Sequence, residues 1–180
     1  MPNSIVQEAC QHVERLLEND PTAALNEGEF QALLQVALLD LLPDRCEATL
    51  GEGVIARLHH PSLTVPRVYR ELKPEGGRGG KEVDIAILQN RPQVVEGKLN
   101  GAPAKFAPPY AVIIETKIDA SATAMLMGKR ARPRTADLLN DIEKWAAYRS
   151  SGTVQAVAAV VLTAEPEAYE GLENVFAVRR

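Results

Sequence analysis

The sequence predicts an α/β protein built on one mixed central β-sheet flanked by helices. Three observations carry this expectation. Two largely apolar runs, YAVIIETKI over 110–118 and TVQAVAAVVL over 153–162, have the length and β-branched content of strands buried on both faces. Two N-terminal segments instead repeat their apolar residues at helical spacing. The elements follow one another as α-α-β-β-β-α-β-(α)-β. Short links early and a helical crossover later imply a mixed sheet covered on both faces.

The first helix is expected over 4–18, where Val6, Ala9, Val13, Leu16 and Leu17 share a side and Ser4 can cap the start. Asn19-Asp20-Pro21 breaks it. A second helix is expected over roughly 23–42, with Phe30, Leu33, Leu34, Ala37, Leu38 and Leu41 apolar and Pro43-Asp44 ending it. Residues 45–63 carry no clear period, although Val54 to Leu58 has the pattern of a short strand. TVPRVYREL (64–72) reads as one strand, KPEGGRGGK (73–81) as a glycine-rich basic turn, and EVDIAIL (82–88) as a second strand. A loop or small hairpin with four prolines fills 89–109 before the strand at 110–118. Thr135 can cap a helix over 136–149, whose Leu138, Ile142 and Trp145 share a face. Gly152 turns the chain into the strand at 153–162. A short helix at 165–171 and a last strand at 175–178 complete the reading.

Composition narrows the classes. A chain of 180 residues fits one domain spanning 1–180. With 46% hydrophobic and 24% charged residues it has the balance of a globular protein. A net charge of −4 argues against non-specific coating of nucleic acid, though not against a local basic groove. Cys10 and Cys46 fit no CxxC spacing and read as free thiols in a reducing compartment. No apolar run reaches membrane-span length and the N-terminus has no signal-peptide pattern, so the expectation is a cytoplasmic protein without a membrane partner.

The strand at 110–118 ends in an unexpected way, because its apolar run leads straight into Glu115, Thr116 and Lys117. Residues i and i+2 of a strand project to one side, so Glu115 and Lys117 leave together. Asp84 lies in the preceding strand, which pairs with this one if 89–109 is an excursion between neighbours. Asp84 and Glu115 then face each other at the end of the sheet. Two converging carboxylates make a hard-ligand site suited to Mg²⁺ or Mn²⁺, with waters completing the octahedron. A lysine beside them eases repulsion between the acids and can hydrogen-bond a phosphate oxygen or an attacking water.

In these residues, VDIAIL followed by VIIETK, the chain resembles the PD-(D/E)XK nuclease superfamily over about 23–162. Asp84, Glu115 and Lys117 match the family motif; the proline that often precedes its aspartate is Val83 here. The resemblance implies a restriction-endonuclease-like core, α-β-β-β-α-β, here with an extra N-terminal helix. It implies Mg²⁺-dependent hydrolysis of phosphodiester bonds in nucleic acid, most simply DNA, leaving 5′-phosphate and 3′-hydroxyl ends. The metal would be held by Asp84, Glu115 and the carbonyl of Thr116, with Lys117 positioning the nucleophile. A glutamate from the preceding helix would contact the metal or its water. A non-catalytic member of the same fold, binding nucleic acid or a protein, is the alternative. Cutting both strands of a duplex would favour a homodimer.

Two other ExK tripeptides occur. Glu71-Leu72-Lys73 precedes Asp84, in the wrong order. Glu96-Gly97-Lys98 follows it, but only Val94-Val95 leads in, and Gly97 weakens a strand. The ordinary alternative for Glu115 and Lys117 is an ion pair at a strand end. The helix glutamate is Glu27 or Glu29. With Phe30 at zero and about 100° per residue, Leu34, Ala37 and Leu41 fall within about 40°, Glu27 at about 60° and Glu29 at about 260°. Glu27 is therefore nearer the core-facing stripe, while Asn26-x-x-Glu29 fits a capping box. Lys129, Arg130, Arg132 and Arg134 in GKRARPR are candidates to grip phosphates, or form a solvated loop. Lys73, Arg78 and Lys81 read as solvated, Lys144 and Tyr148 as weak candidates to support the site, and His59-His60 as loop residues without partner ligands.

Overall fold

The structure, a computed structural model, describes residues 2–51, 62–72, 83–96, 105–107, 109–119, 140, 143, 146, 149, 150 and 152–179. Two helices open the chain, α1 (Pro2–Asn19) and α2 (Glu27–Leu41). Asn26 caps α2: its side chain accepts from the Glu29 N–H at 3.0 Å, and the Glu29 carboxylate accepts from the N–H groups of Asn26 and Leu25. That capping box starts the helix at Glu27, later than the periodicity alone suggests.

Among the described residues the strands form two sheets, not one. The larger holds β3 (Val68–Leu72), β4 (Val83–Ile87), β7 (Tyr110–Ile118), β8 (Val154–Thr163) and β9 (Val175–Arg179), in that order. Its first three strands run antiparallel, and β7, β8 and β9 run parallel. The smaller sheet has the order β2-β1-β5-β6, built from β1 (Arg45–Leu50), β2 (Ser62–Pro66), β5 (Gln93–Glu96) and β6 (Lys105–Phe106). It too is mixed, since β1 pairs parallel with β5 and antiparallel with β2.

The expectation of a single central sheet covered by helices is thus corrected. One face of the large sheet carries α1 and α2. Phe30, Leu34 and Leu38 of α2 and Val6, Ala9 and Val13 of α1 pack there on Ile85, Ile87, Val112, Ile114, Ala158 and Val160. The other face is covered in part by the small sheet, whose Cys46, Ala48, Leu50, Val65 and Phe106 pack on Ala86, Tyr110, Ile113 and Val157. A short 3₁₀ turn, Pro166–Tyr169, adds Tyr169, packed on Ala159 and Val161. Strand pairs and helices both bury one apolar face, and among the described residues the large sheet is packed by helices on one face and by strands on the other.

The stretch 64–72 is also divided. Its Pro66 ends β2 on the edge of the small sheet, where a missing N–H is tolerated. Arg67 then donates its N–H to the Asp44 carbonyl at 3.0 Å and accepts from the Leu88 N–H at 2.9 Å. The chain passes there into β3 of the large sheet. Strand β1 escaped the reading of 45–63, although its alternation of Cys46, Ala48 and Leu50 with Arg45, Glu47 and Thr49 is strict. Residues 89–109 leave the large sheet between β4 and β7, and the described part places β5 and β6 in the small one as an antiparallel pair. Between β7 and β8 the chain crosses over, as a parallel pair requires. Asn140, Glu143, Ala146, Arg149 and Ser150 there are helical, and the rest of the helix expected over 136–149 lies outside the described residues. So does Val54 to Leu58. No helix among the described residues is long and apolar enough to cross a membrane.

Candidate active site

The register of β4 against β7 sets the site. Ile87 pairs with Val112, Ala86 with Ile113 and Ile85 with Ile114. Asp84 and Glu115 are the next residues of the two strands beyond that register. The regular ladder does stop there. The Thr116 N–H donates to Asp84 Oδ2 at 2.7 Å, and the Thr116 hydroxyl donates to the same oxygen at 3.0 Å. An aspartate side chain has taken the place of the next ladder acceptor, so its carboxylate lies against the residue between Glu115 and Lys117.

Alternation along β7 sorts the neighbours. Val112, Ile114 and Ile118 pack with the helices, whereas Ile113 packs with the small sheet. Thr116 therefore faces α2 and Glu115 leaves on the other side of the strand, whereas Lys117, near the strand end, reaches Glu27 of α2. Thr116 is fully buried and Glu115 is 7% exposed. In a hydrogen-bonded position both the N–H and the C=O of a residue point to the same neighbouring strand. Since the Thr116 N–H reaches Asp84, its carbonyl is aimed to that side as well.

The N-terminus of α2 meets the far end of the same motif. Lys117 Nζ lies 3.8 Å from Glu27 Oε1, with the lysine side chain 23% and the glutamate 42% exposed. Glu27 sits at the first helical position, on the face that buries Phe30, Gln31, Leu34 and Leu38. Glu29 is on the opposite side, engaged in the capping box. The structure therefore brings Glu27, and not Glu29, to the lysine.

Two residues beside this cluster were not picked out from the sequence. Gln31, buried in α2, donates from Nε2 to Thr116 Oγ1 at 3.0 Å. Arg70 of β3 donates from Nη2 to Gln31 Oε1 at 3.4 Å and to the Gly28 carbonyl at 3.3 Å. Gln31 had a visible signal, a carboxamide four residues after Glu27 within an apolar stripe. Arg70 had none. Next to Arg70, Glu71 adopts a left-handed backbone with φ of 52°. Beyond it, Leu72 packs with the small sheet while Val68 packs with the helices, so the strand changes face at this point.

Other residues expected at the site lie outside the described residues: Lys129, Arg130, Arg132, Arg134, Lys144, Tyr148, His59, His60, Lys73, Arg78 and Lys81. A groove of about 340 Å³ between α1 and the segment 166–177, lined by Gln7, Cys10, Glu14, Tyr169 and Phe176 among others, shares no residue with the acid cluster.

Among the described residues, no three or more His, Cys, Asp or Glu side chains gather in a way that could hold a metal ion. A site of dedicated protein ligands, such as zinc takes, is not formed by them. The donor set that is present fits a different demand. Mg²⁺ keeps several waters and needs one or two carboxylates. Asp84, Glu115 and the Thr116 carbonyl are the oxygen donors nearest the end of the β4–β7 pair that such an ion would draw on. Comparison of the chain with protein-family models, with curated proteins and with solved structures gives no match.

Proposed function

We propose that the protein is a Mg²⁺- or Mn²⁺-dependent nuclease of the PD-(D/E)XK type, with a restriction-endonuclease-like core formed by α2, β3, β4, β7 and β8. The observation that carries the reading is the docking of Asp84 on Thr116, which joins the aspartate to the Glu115–Lys117 pair. The order of elements supports it: a helix bearing Glu27, antiparallel strands bearing Asp84 and then Glu115 and Lys117, and a parallel strand after a crossover.

Asp84, Glu115 and the Thr116 carbonyl are the residues to hold the cation, with Glu27 near enough to Lys117 to accept from its ammonium or from a water beside it. When bound, the ion supplies Lewis acidity and neutralises charge on the phosphate. Lys117 orients the attacking water and stabilises the negative charge that develops on the phosphoryl oxygens. Glu27 keeps the Nζ group from swinging away, at the cost of a partly exposed pair that adds little to stability. The substrate is nucleic acid, DNA before RNA, and GKRARPR is the segment to contact flanking phosphates. A two-stranded cut calls for two copies of the chain.

The test is cleavage of duplex, single-stranded and branched DNA and of RNA, with Mg²⁺, Mn²⁺ or EDTA, beside the Lys117→Ala and Glu115→Ala proteins. Metal-dependent cleavage by the wild type alone is expected. Equal cleavage by both variants refutes the assignment. Metal-independent DNA binding without nicking points instead to a binding module of this fold.

A further inference from the structure

A polar chain runs behind the acids, from Arg70 to Gln31 to Thr116 to Asp84, with links of 3.4, 3.0 and 3.0 Å. Gln31 is 8% exposed and Thr116 fully buried. Each link dictates the direction of the next. A guanidinium only donates, so the Gln31 oxygen must face Arg70. The Gln31 amide nitrogen must then face Thr116, which settles which way the carboxamide is turned. The Thr116 hydroxyl accepts from that nitrogen, and its single proton is left for Asp84 Oδ2. That oxygen also accepts from the Thr116 N–H.

The geometry points to Gln31 and Arg70 as positioning residues that set the direction of the Thr116 hydroxyl and so fix the Asp84 carboxylate. Oδ2 is committed to Thr116, so Oδ1 is the oxygen that Asp84 would offer to a divalent cation. Partners that orient a metal ligand often change affinity by about 10–100-fold when removed. The inference rests on the nuclease reading for its metal, but not for its hydrogen bonds.

Two readouts separate those parts. The first is the carbon chemical shift of the Asp84 carboxyl group with the proton shift of the Thr116 amide. The second is Mn²⁺ affinity by calorimetry. Gln31→Glu keeps the pairing with Arg70 but removes the donor, so the Thr116 hydroxyl turns away from Asp84. Thr116→Val removes the hydroxyl at equal size, and Thr116→Ser retains it. Both Gln31→Glu and Thr116→Val are expected to move the Asp84 carboxyl shift and to weaken Mn²⁺ binding about tenfold, whereas Thr116→Ser stays near wild type. A role in packing alone reverses the order, because serine leaves a void that valine fills. Wild-type shifts and affinity in Thr116→Val overturn the proposal. If the wild type shows no Asp84-dependent Mn²⁺ binding, the nuclease reading falls, and the Asp84 shift alone decides whether the chain of hydrogen bonds operates.

Discussion

Asp84→Ala and Asp84→Asn should part company in stability while agreeing in activity. In the wild type, Asp84 Oδ2 accepts two hydrogen bonds from Thr116, at 2.7 and 3.0 Å. Thr116 is fully buried, so alanine leaves its N–H without an acceptor. An orphaned buried donor costs about 1–3 kcal/mol, and the stranded hydroxyl adds about 1 kcal/mol more. The alanine variant should therefore lose about 2–4 kcal/mol. Asparagine can turn its carboxamide oxygen to the same N–H. It loses the charge assistance of two bonds, about 1–2 kcal/mol, and regains part of it because a neutral amide costs less to desolvate than a carboxylate. A net loss of about 1 kcal/mol or less is expected. Urea unfolding measures both: with a slope of about 2 kcal/mol per molar, the alanine midpoint falls by about 1–2 M and the asparagine midpoint by about 0.5 M or less. Metal-dependent cleavage should be lost in both. An alanine variant as stable as wild type refutes the hydrogen-bond geometry, and undiminished cleavage by the asparagine variant refutes the site.

Glu27 and Glu29 are separable in the same way. Glu29→Ala breaks the capping box and should cost about 1 kcal/mol with cleavage kept, whereas Glu27→Ala should lower cleavage with stability within about 0.5 kcal/mol; denaturation and single-turnover assays on the two proteins decide. Lys117→Met should abolish cleavage and shift the unfolding midpoint little, since its pair with Glu27 is partly exposed. Divalent cation should stabilise the fold: at a concentration ten times its dissociation constant Mn²⁺ adds about 1.4 kcal/mol, or about 3–6 °C in Tm, and Asp84→Asn should lose that gain. The Cys10 thiol is pushed up to about 12 by burial and then by Glu14. A raised folded-state value means its contribution to stability is complete below the unfolded thiol range and fades as pH rises through it towards 12. Alkylation of Cys10 at pH 8 should accordingly wait on unfolding; reaction at the rate of a free thiol in native protein would contradict its burial.

The parts of this fold that were legible in the sequence are those where one signal acted alone. The run at 110–118 is bounded by Pro109 and Asp119 and carries apolar residues on both faces, and its strand spans the same residues. The run expected over 153–162 likewise forms a strand, Val154–Thr163, one residue further on. The small sheet was hidden for two reasons. Strand β1 buries Cys46, Ala48 and Leu50, none a β-branched or aromatic strand former, although the alternation was there to count. The stretch 64–72 has strand character throughout, and nothing in its composition says that Arg67 hands the chain from one sheet to another. That transfer depends on two backbone hydrogen bonds to Asp44 and Leu88, which are distant in sequence. At the site, Glu27 was legible because the helical angle of each residue can be reckoned from the apolar stripe. Arg70 was not, because its role is set by which helix crosses above β3, a property of the packed molecule.

A carboxylate at the end of a buried strand is costly unless something in the fold repays it. Asp84 is repaid locally by the Thr116 N–H and hydroxyl, a hydroxyl whose direction is imposed through Gln31 by an arginine on the neighbouring strand. Such an arrangement exceeds what a strand end needs, since a threonine and a backbone acceptor would close the ladder at no electrostatic cost. The chain instead ends the β4–β7 pairing early, replaces a backbone acceptor with a charged one, and places a second acid at the adjoining position of β7. Two like charges held at neighbouring positions oppose folding. Under the proposed nuclease reading, a divalent cation would offset the cost of placing Asp84 and Glu115 at the ends of adjoining strands.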